Sequence, residues 1–479
     1  MSHGSIVTRI TRSARWAFVE SLLSATASLG TVLVLARFVG PAEFGRAGIA
    51  VAISAIIQTI LLGGMPDAIV RAPSAHTRLT DSVFWSVLAL GACGAAVIAA
   101  IGLATGSWWQ DPRLGALIAV QGLTTLAVAA AAVPTGLLLR KMRTRALVNR
   151  TAMAKLAGLA ASVGFAFAGY GAWAVVFGNL FSQGFGLLQL LTSMRRPRWR
   201  VDDPALAQTL QLGVLAGAQQ TLGTLATRGF VLAFGIAYGA HAVGLFNFAL
   251  RLVEESCGLV ITTLRRVTVT SFAAAKRSGV DMKPLFVRGT NVIAYATAPL
   301  FLGGAAVAHD AVELLFGPQW LGAVPALQLM LCMWVLRSTR MLVNAIMVVD
   351  GRQRALVGFG LIGLAATAIA FFVSLPFGER WTTLSYAATL FGVVFGGTAF
   401  ARQSGIGFGT QVRAGLTPIL LAVTMWGAVT VLRTGPLAGL PPALRLGTEV
   451  VAGLGIFLAL AMIVDRPGLA RLQRLALRR

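Results

Sequence analysis

Residues 35–71 read LARFVGPAEFGRAGIAVAISAIIQTILLGGMPDAIVR. A glycine-bounded turn, Gly40-Pro-Ala-Glu-Phe-Gly45, separates two apolar runs, and after Arg46 no ionisable side chain occurs until Asp67. About twenty residues of this kind, coiled as a helix, cross the roughly 30 Å of hydrocarbon in a bilayer. A second pair of glycines, Gly63 and Gly64, ends the run. The repeating unit is therefore helix, short turn, helix, with lipid rather than water as its solvent.

The rest of the chain follows the same plan. Of 479 residues, 57% are hydrophobic and only 12% charged, and the mean hydropathy is +0.79, whereas soluble domains carry about a quarter charged residues. Hydropathy predicts an all-α polytopic membrane protein of about fourteen transmembrane helices, near 17–38, 46–64, 83–104, 114–137, 152–170, 172–192, 208–236, 242–264, 285–308, 323–346, 356–376, 382–401, 414–432 and 444–464. No polar stretch between them is long enough to fold as a separate domain. The basic residues from Met1 to Arg15 precede an apolar run too long for a signal-peptide core, which reads as a retained first helix. Cys93, Cys257 and Cys332 all fall inside apolar runs, which argues against disulfides and a thiolate metal site. Nothing in the chain resembles a cofactor or nucleotide loop. The formal charge of +24 is dealt out between hydrophobic runs instead of covering one soluble face, so it argues for topology and not for nucleic acid.

Alternate connections hold the clusters of lysine and arginine. They carry Arg140, Lys141, Arg143, Arg145 and Arg150; Arg195, Arg196, Arg198 and Arg200; Arg265, Arg266, Lys276, Arg277 and Lys283; and Arg352 and Arg354. The intervening connections are short and nearly free of basic residues, and the one from His309 to Trp320 carries Asp310 and Glu313 alone. By the positive-inside rule the basic connections and both termini are cytoplasmic, as expected of a multi-pass protein of a bacterial inner membrane.

Shifting the chain by about 200 residues sets Val32-Leu33 against Val231-Leu232, and Gly40-Pro-Ala-Glu-Phe-Gly45 against Gly239-Ala-His-Ala-Val-Gly244. In this register Glu20 meets Gln219. Two six-helix units then run in the same direction, the parallel-repeat plan of transporters with two bundles around a central site. The expected organisation is an N-terminal lobe over 1–200 (helices 1–6), a C-terminal lobe over 201–402 (helices 7–12), and helices 13–14 with a basic cytoplasmic tail over 403–479. The two lobes would enclose a central cavity.

The order of several short motifs is more specific than any one of them. Leu35-Ala-Arg-Phe-Val-Gly-Pro-Ala-Glu-Phe-Gly45 is followed by an apolar helix and Gly63-Gly-Met-Pro-Asp-Ala-Ile-Val-Arg71; Gly169-Tyr-Gly-Ala-Trp-Ala174, Leu315-Phe-Gly-Pro-Gln-Trp-Leu321 and Asp350-Gly-Arg-Gln-Arg354 come later. Together they resemble the polysaccharide-repeat-unit (Wzx-type) flippases of the multidrug/oligosaccharidyl-lipid/polysaccharide exporter superfamily, over roughly residues 15 to 360. The resemblance implies a flippase for undecaprenyl-pyrophosphate-linked oligosaccharide, working by alternating access in exopolysaccharide, O-antigen or capsule synthesis. A polysaccharide polymerase and a chain-length regulator are the protein partners expected beside it. The final hundred residues match in hydrophobicity only.

Ionisable groups deep in a span are expensive and face a protein interior or a wet cavity. The eighth helix places Asn247, Arg251, Glu254 and Glu255 on one face, and the tenth places Arg337, Arg340 and Asn344. The seventh offers Gln220, Thr224 and Arg228, and the first Glu20, Ser24, Ser28 and Thr31. If these stripes converge, the cavity has an excess of arginine, whose fork of donors suits a pyrophosphate and acidic sugars. Substrate binding is thus assigned to Arg337, Arg340, Asn344, Arg251, Arg228 and Asn247. Glu20, with Glu254 and Glu255, is assigned to ion coupling. The plainer alternatives are that Arg251 pairs with a glutamate of its own helix, that Glu20 reaches water, and that Arg337 and Arg340 reach anionic lipid headgroups.

Other functions stay open at this point. A lipid II flippase or a multidrug exporter would share the architecture, although an exporter of cations wants a cavity rich in carboxylates. A membrane polysaccharide polymerase or ligase would need acid, base or nucleophile groups outside the membrane, and the outer connections offer little beyond Asp111, His309, Asp310, Glu313 and Glu379.

Overall fold

Glycine and proline set the helix ends. In the computed structural model, which describes residues 26–72, 75–108, 111–192, 195, 197–277, 281–350 and 352–466, every regular element is a helix. They are α1 (Thr26–Phe38), α2 (Pro41–Leu62), α3 (Met65–Arg71), α4 (Thr77–Trp108), α5 (Pro112–Arg140), α6 (Thr144–Phe167), α7 (Ala172–Thr192), α8 (Leu206–Arg277), α9 (Met282–Phe316), α10 (Val324–Thr339), α11 (Met341–Val349), α12 (Gln353–Ser374), α13 (Glu379–Ser385), α14 (Leu390–Ser404), α15 (Phe408–Thr434) and α16 (Pro442–Val464).

Eleven helical stretches among the described residues are long and apolar enough to cross a membrane. One of them, Gln220–Ser256, bends at Gly239, whose φ of 80° and ψ of 179° split α8 into two limbs. With α1 and α6 this gives fourteen passages, matching the hydropathy count. α6 is less apolar because Arg145, Arg150 and Lys155 occupy its first half.

Helix boundaries differ from the hydropathy spans where backbone hydrogen bonding continues past the apolar segment. The turn residues Pro41 to Gly45 form the first turn of α2, since proline at the first helical position gives up only an amide that has no partner there. α8 stays helical through Arg277, so the basic stretch after residue 264 is helix and not loop. α9 runs to Phe316 and takes His309, Asp310 and Glu313 into the helix. The tenth passage is interrupted at Arg340, the C-cap of α10.

The chain divides into two compact units, up to Asn247 and from Phe248 onward. In the first, α5 is the innermost helix, and its Ala129, Ala132 and Val133 pack with Leu62, Met65, Ile69, Leu79, Val83 and Val87. The segment after α7 is pinned to the start of α4. Trp85 donates Nε1–H to the carbonyl of Arg198 at 2.9 Å and its ring lies 4.3 Å from that of Trp199. Arg78 pairs with Asp202 at 2.8 Å and Arg195 with Asp81 at 3.2 Å.

In the second unit α9 packs against α10, α15 and α16, and α12 against α14. Phe286, Ile293, Leu342, Ile346 and Phe400 form one core. The Leu315–Leu321 motif has a packing role: Gly317 turns the chain at φ 100°, and a 3-10 turn drives fully buried Trp320 onto Phe248 at 4.2 Å. Deleting such a ring costs about 3–5 kcal/mol.

Candidate functional site

The two turns that sequence repetition set in register touch each other. A Cβ on Gly45 would lie 1.8 Å from the carbonyl oxygen of Ala240, and one on Gly244 would lie 1.8 Å from that of Pro41. Pro41 corresponds to Ala240 and Gly45 to Gly244 in the repeat, so the contact is reciprocal, as across a two-fold axis. Only glycine permits this approach of α2 to the second limb of α8. At the other end of α2, a Cβ on Gly64 would lie 1.9 Å from the carbonyl oxygen of Gly213. Between these crossings, Ile49, Ile53, Ile56 and Ile57 of α2 join Ile101, Thr105, Leu232 and Ile236 around an apolar cleft of about 350 Å³.

Two motif residues, Glu43 and Ala172, meet Arg46 and Asp111 at the start of α2. Arg46 bonds Glu43 and donates Nε–H to Asp111 at 2.8 Å, and Glu43 accepts the amide of Ala172 at 3.2 Å. Partial burial pushes the Asp111 carboxyl up, but the Arg46 guanidinium and the amides of Leu114 and Arg113 outweigh it and hold the group below the usual aspartate value.

Elsewhere in the first unit, neutral and cationic groups meet between helices. Gln58 donates to Thr124 and Thr125 at 2.8 and 3.1 Å. Arg150, placed by the sequence in a connection, lies within α6, half-buried, and donates to the Gly186 carbonyl at 3.3 Å and to Thr135 Oγ1 at 3.2 Å. Lys155 donates to Ser28 at 2.8 Å, joining the polar stripe of the first helix. Arg150 and Lys155 were not legible as interior cations, because hydropathy placed Arg150 before the span and Lys155 at its edge.

The residues predicted for the site are found in several settings. Glu20 and Ser24 lie outside the described residues, and Thr31 is buried, donating to the carbonyl of Ala27. Arg228 is half-buried and already engaged by neighbours. Asn247 is 8% exposed and its amide fills the space beside Gly48, 2.6 Å from where a Cβ would be. Arg251, Glu254 and Glu255 are half-buried on successive turns of α8, and each has an interaction partner.

On the tenth passage, Arg337 lies over its own helix neighbour Trp334, 5.7 Å from the ring centre. Arg340 turns to α14 and α15. It donates to Gln411 Oε1 at 2.9 Å, stacks 5.0 Å from the Phe408 ring centre, and fills the space that a side chain on Gly397 would take. Gln411 is itself fixed by donating to the carbonyls of Gly397 and Ile406. Neither arginine has a carboxylate partner among the described residues. Asn344 is exposed. Arg337 and Arg340 are thus close along the chain but point to different neighbours.

A cluster that the sequence did not reveal joins α9, α15 and α16. Asp310 is fully buried and accepts two bonds from Arg445, at 2.8 and 2.7 Å, with Arg433 3.5 Å away. His309, Asp310 and Glu313 bring together donor atoms of metal-ligand type. Both oxygens of Asp310 are occupied by guanidinium, however, and a cation added there would face Arg433 and Arg445. Glu449, within a span, was the one sequence sign of this cluster.

Residues 34–325 match a family model described as polysaccharide biosynthesis protein. Among characterised relatives, the chain is 24% identical over 348 residues to the lipopolysaccharide biosynthesis protein WzxC of Escherichia coli (strain K12), covering 71% of this chain and 70% of that one. It is 23% identical over 292 residues to the amylovoran biosynthesis protein AmsL of Erwinia amylovora, covering 60% and 75%. Among solved structures it resembles the lipid II flippase MurJ in an inward closed conformation, with a TM-score of 0.78 at 12% identity over 95% of this chain and 99% of that one.

Proposed function

We propose, from the premise that this chain belongs to the polysaccharide biosynthesis protein family, that it is an inner-membrane flippase and not an enzyme. Its substrate is undecaprenyl-pyrophosphate-linked oligosaccharide, moved across the membrane by alternating access for exopolysaccharide, O-antigen or capsule synthesis. The fold likeness to a lipid II flippase supports a transporter architecture. The reciprocal crossing at Gly45 and Gly244 supports an internal repeat, for which the proposed lobes are 1–200 and 201–402, with helices 13–14 over 403–479.

The observation that carries the substrate class is Arg340. Its guanidinium is half-buried and held by an amide and a ring instead of a carboxylate, so its charge is available to a phosphate. Arg337 stands one turn earlier, with Asn344 one turn later as a polar contact. Arg228, Asn247 and Arg251 are further candidates for substrate binding, Glu254 and Glu255 for ion coupling, and Glu20 is the ion-coupling carboxylate. The isoleucine-lined cleft suits a hydrocarbon chain. The basic connections argue for cytoplasmic termini, where anionic lipids meet them, and a polymerase and chain-length regulator act on the exported unit.

Deleting the gene should abolish one surface polysaccharide and accumulate its lipid-linked repeat unit facing the cytoplasm, with the wild-type chain restoring export. Unchanged surface polymers would contradict the proposal.

A further inference from the structure

Glu449 is 1% exposed, and neither of its carboxyl oxygens has a hydrogen-bond donor. A buried carboxylate without donors is among the costliest groups a protein can hold. One turn before it on α16, Arg445 clamps the fully buried carboxyl of Asp310, which brings a second carboxyl beside Glu449 for a carboxyl–carboxylate hydrogen bond. Such a bond forms only if one of the two carries a proton, because two ionised carboxylates are both acceptors.

The surrounding charges require the same proton. Facing the pair are Arg433 at the end of α15, Arg445 of α16, and His309 and Glu313 of α9. Arg433 and Arg445 are directed to Asp310 and Glu313, and neither guanidinium donates to Glu449. His309 is 39% exposed and its Nδ1 lies 3.3 Å from Asp310 Oδ1, so it links the pair to the aqueous phase.

We infer that Asp310 and Glu449 form a proton-binding site, holding one shared proton that fastens the start of α16 and the end of α15 to α9. The proton comes from the aqueous phase and returns to it through His309. The far end of α16 is fastened to the same helix independently, by Tyr295 donating to Asp465 at 2.7 Å. Loss of the proton therefore loosens one end of α16 and leaves the other attached.

The test is infrared spectroscopy of the full-length protein in lipid vesicles, titrated from neutral to alkaline pH. The wild type should show a protonated-carboxyl C=O band at neutral pH that disappears on alkalinisation, when other carboxyls are already ionised. Glu449→Gln, which keeps the shape and cannot ionise, should lack the band, and its thermal midpoint should stay flat across the range where the wild type falls. If Glu449→Gln does not insert, Glu449→Met serves for the same comparison. Absence of the band in the wild type, or its persistence in the variant, overturns the site.

Discussion

Arg340 and Arg445 belong to the same unit and are held in opposite ways. Arg445 grips buried Asp310 through two bonds and approaches Glu313, so its charge is matched inside the protein. Arg340 is held by the Gln411 amide and the Phe408 ring, which fix its direction and leave its charge unmatched. Arg150 repeats the second arrangement in the first unit, on a threonine hydroxyl and a backbone carbonyl. Position in a span therefore does not assign an interior arginine to a role. The chemistry of its partners does: a carboxylate makes it a structural clamp, and neutral acceptors keep it available to an anion.

The sharpest way to break this comparison is to remove each arginine in turn. Arg445→Ala leaves Asp310 buried with a weakened set of donors, and severing a buried pair costs about 3–5 kcal/mol. Much lower membrane yield and a lower thermal midpoint are expected, checked by fluorescence-detected size exclusion and thermal unfolding. Arg340→Ala removes no ion pair, so its stability loss should be about 1–2 kcal/mol, a smaller drop in the same measurements. If the two variants lose equal stability, the distinction between clamp and available charge fails. At the lower end, Arg78 and Asp202 form an exposed pair, in which the Arg78 hydrogen bond lowers the Asp202 pKa. Arg78→Ala should move the thermal midpoint by an amount close to experimental error, since water screens an exposed pair.

Much of the architecture was legible in the sequence because its signal is local. Gly40-Pro41 and Gly317-Pro318 mark helix ends wherever the chain folds, and the repeat of Gly45 at Gly244 survived because nothing larger fits either crossing. The site was less legible because its partners are distant. Arg340 finds Gln411 71 residues away, and Arg445 finds Asp310 135 residues away. A stripe on one helix can tell that a charge faces inward but not what it meets. Hydropathy also drops at His309, which placed Asp310 in an outer connection, whereas α9 continues for two more turns and buries it.

The most direct test of the transport proposal is translocation of a labelled undecaprenyl-pyrophosphate-linked oligosaccharide by purified protein in vesicles, read by accessibility of the sugar to an external enzyme. Wild type should expose the sugar at the opposite leaflet, and Arg340→Ala, inserted at comparable density, should do so at least about tenfold more slowly, the loss of one charge-assisted contact to phosphate. Equal rates for the two proteins would contradict the account of Arg340 as the anion-binding residue.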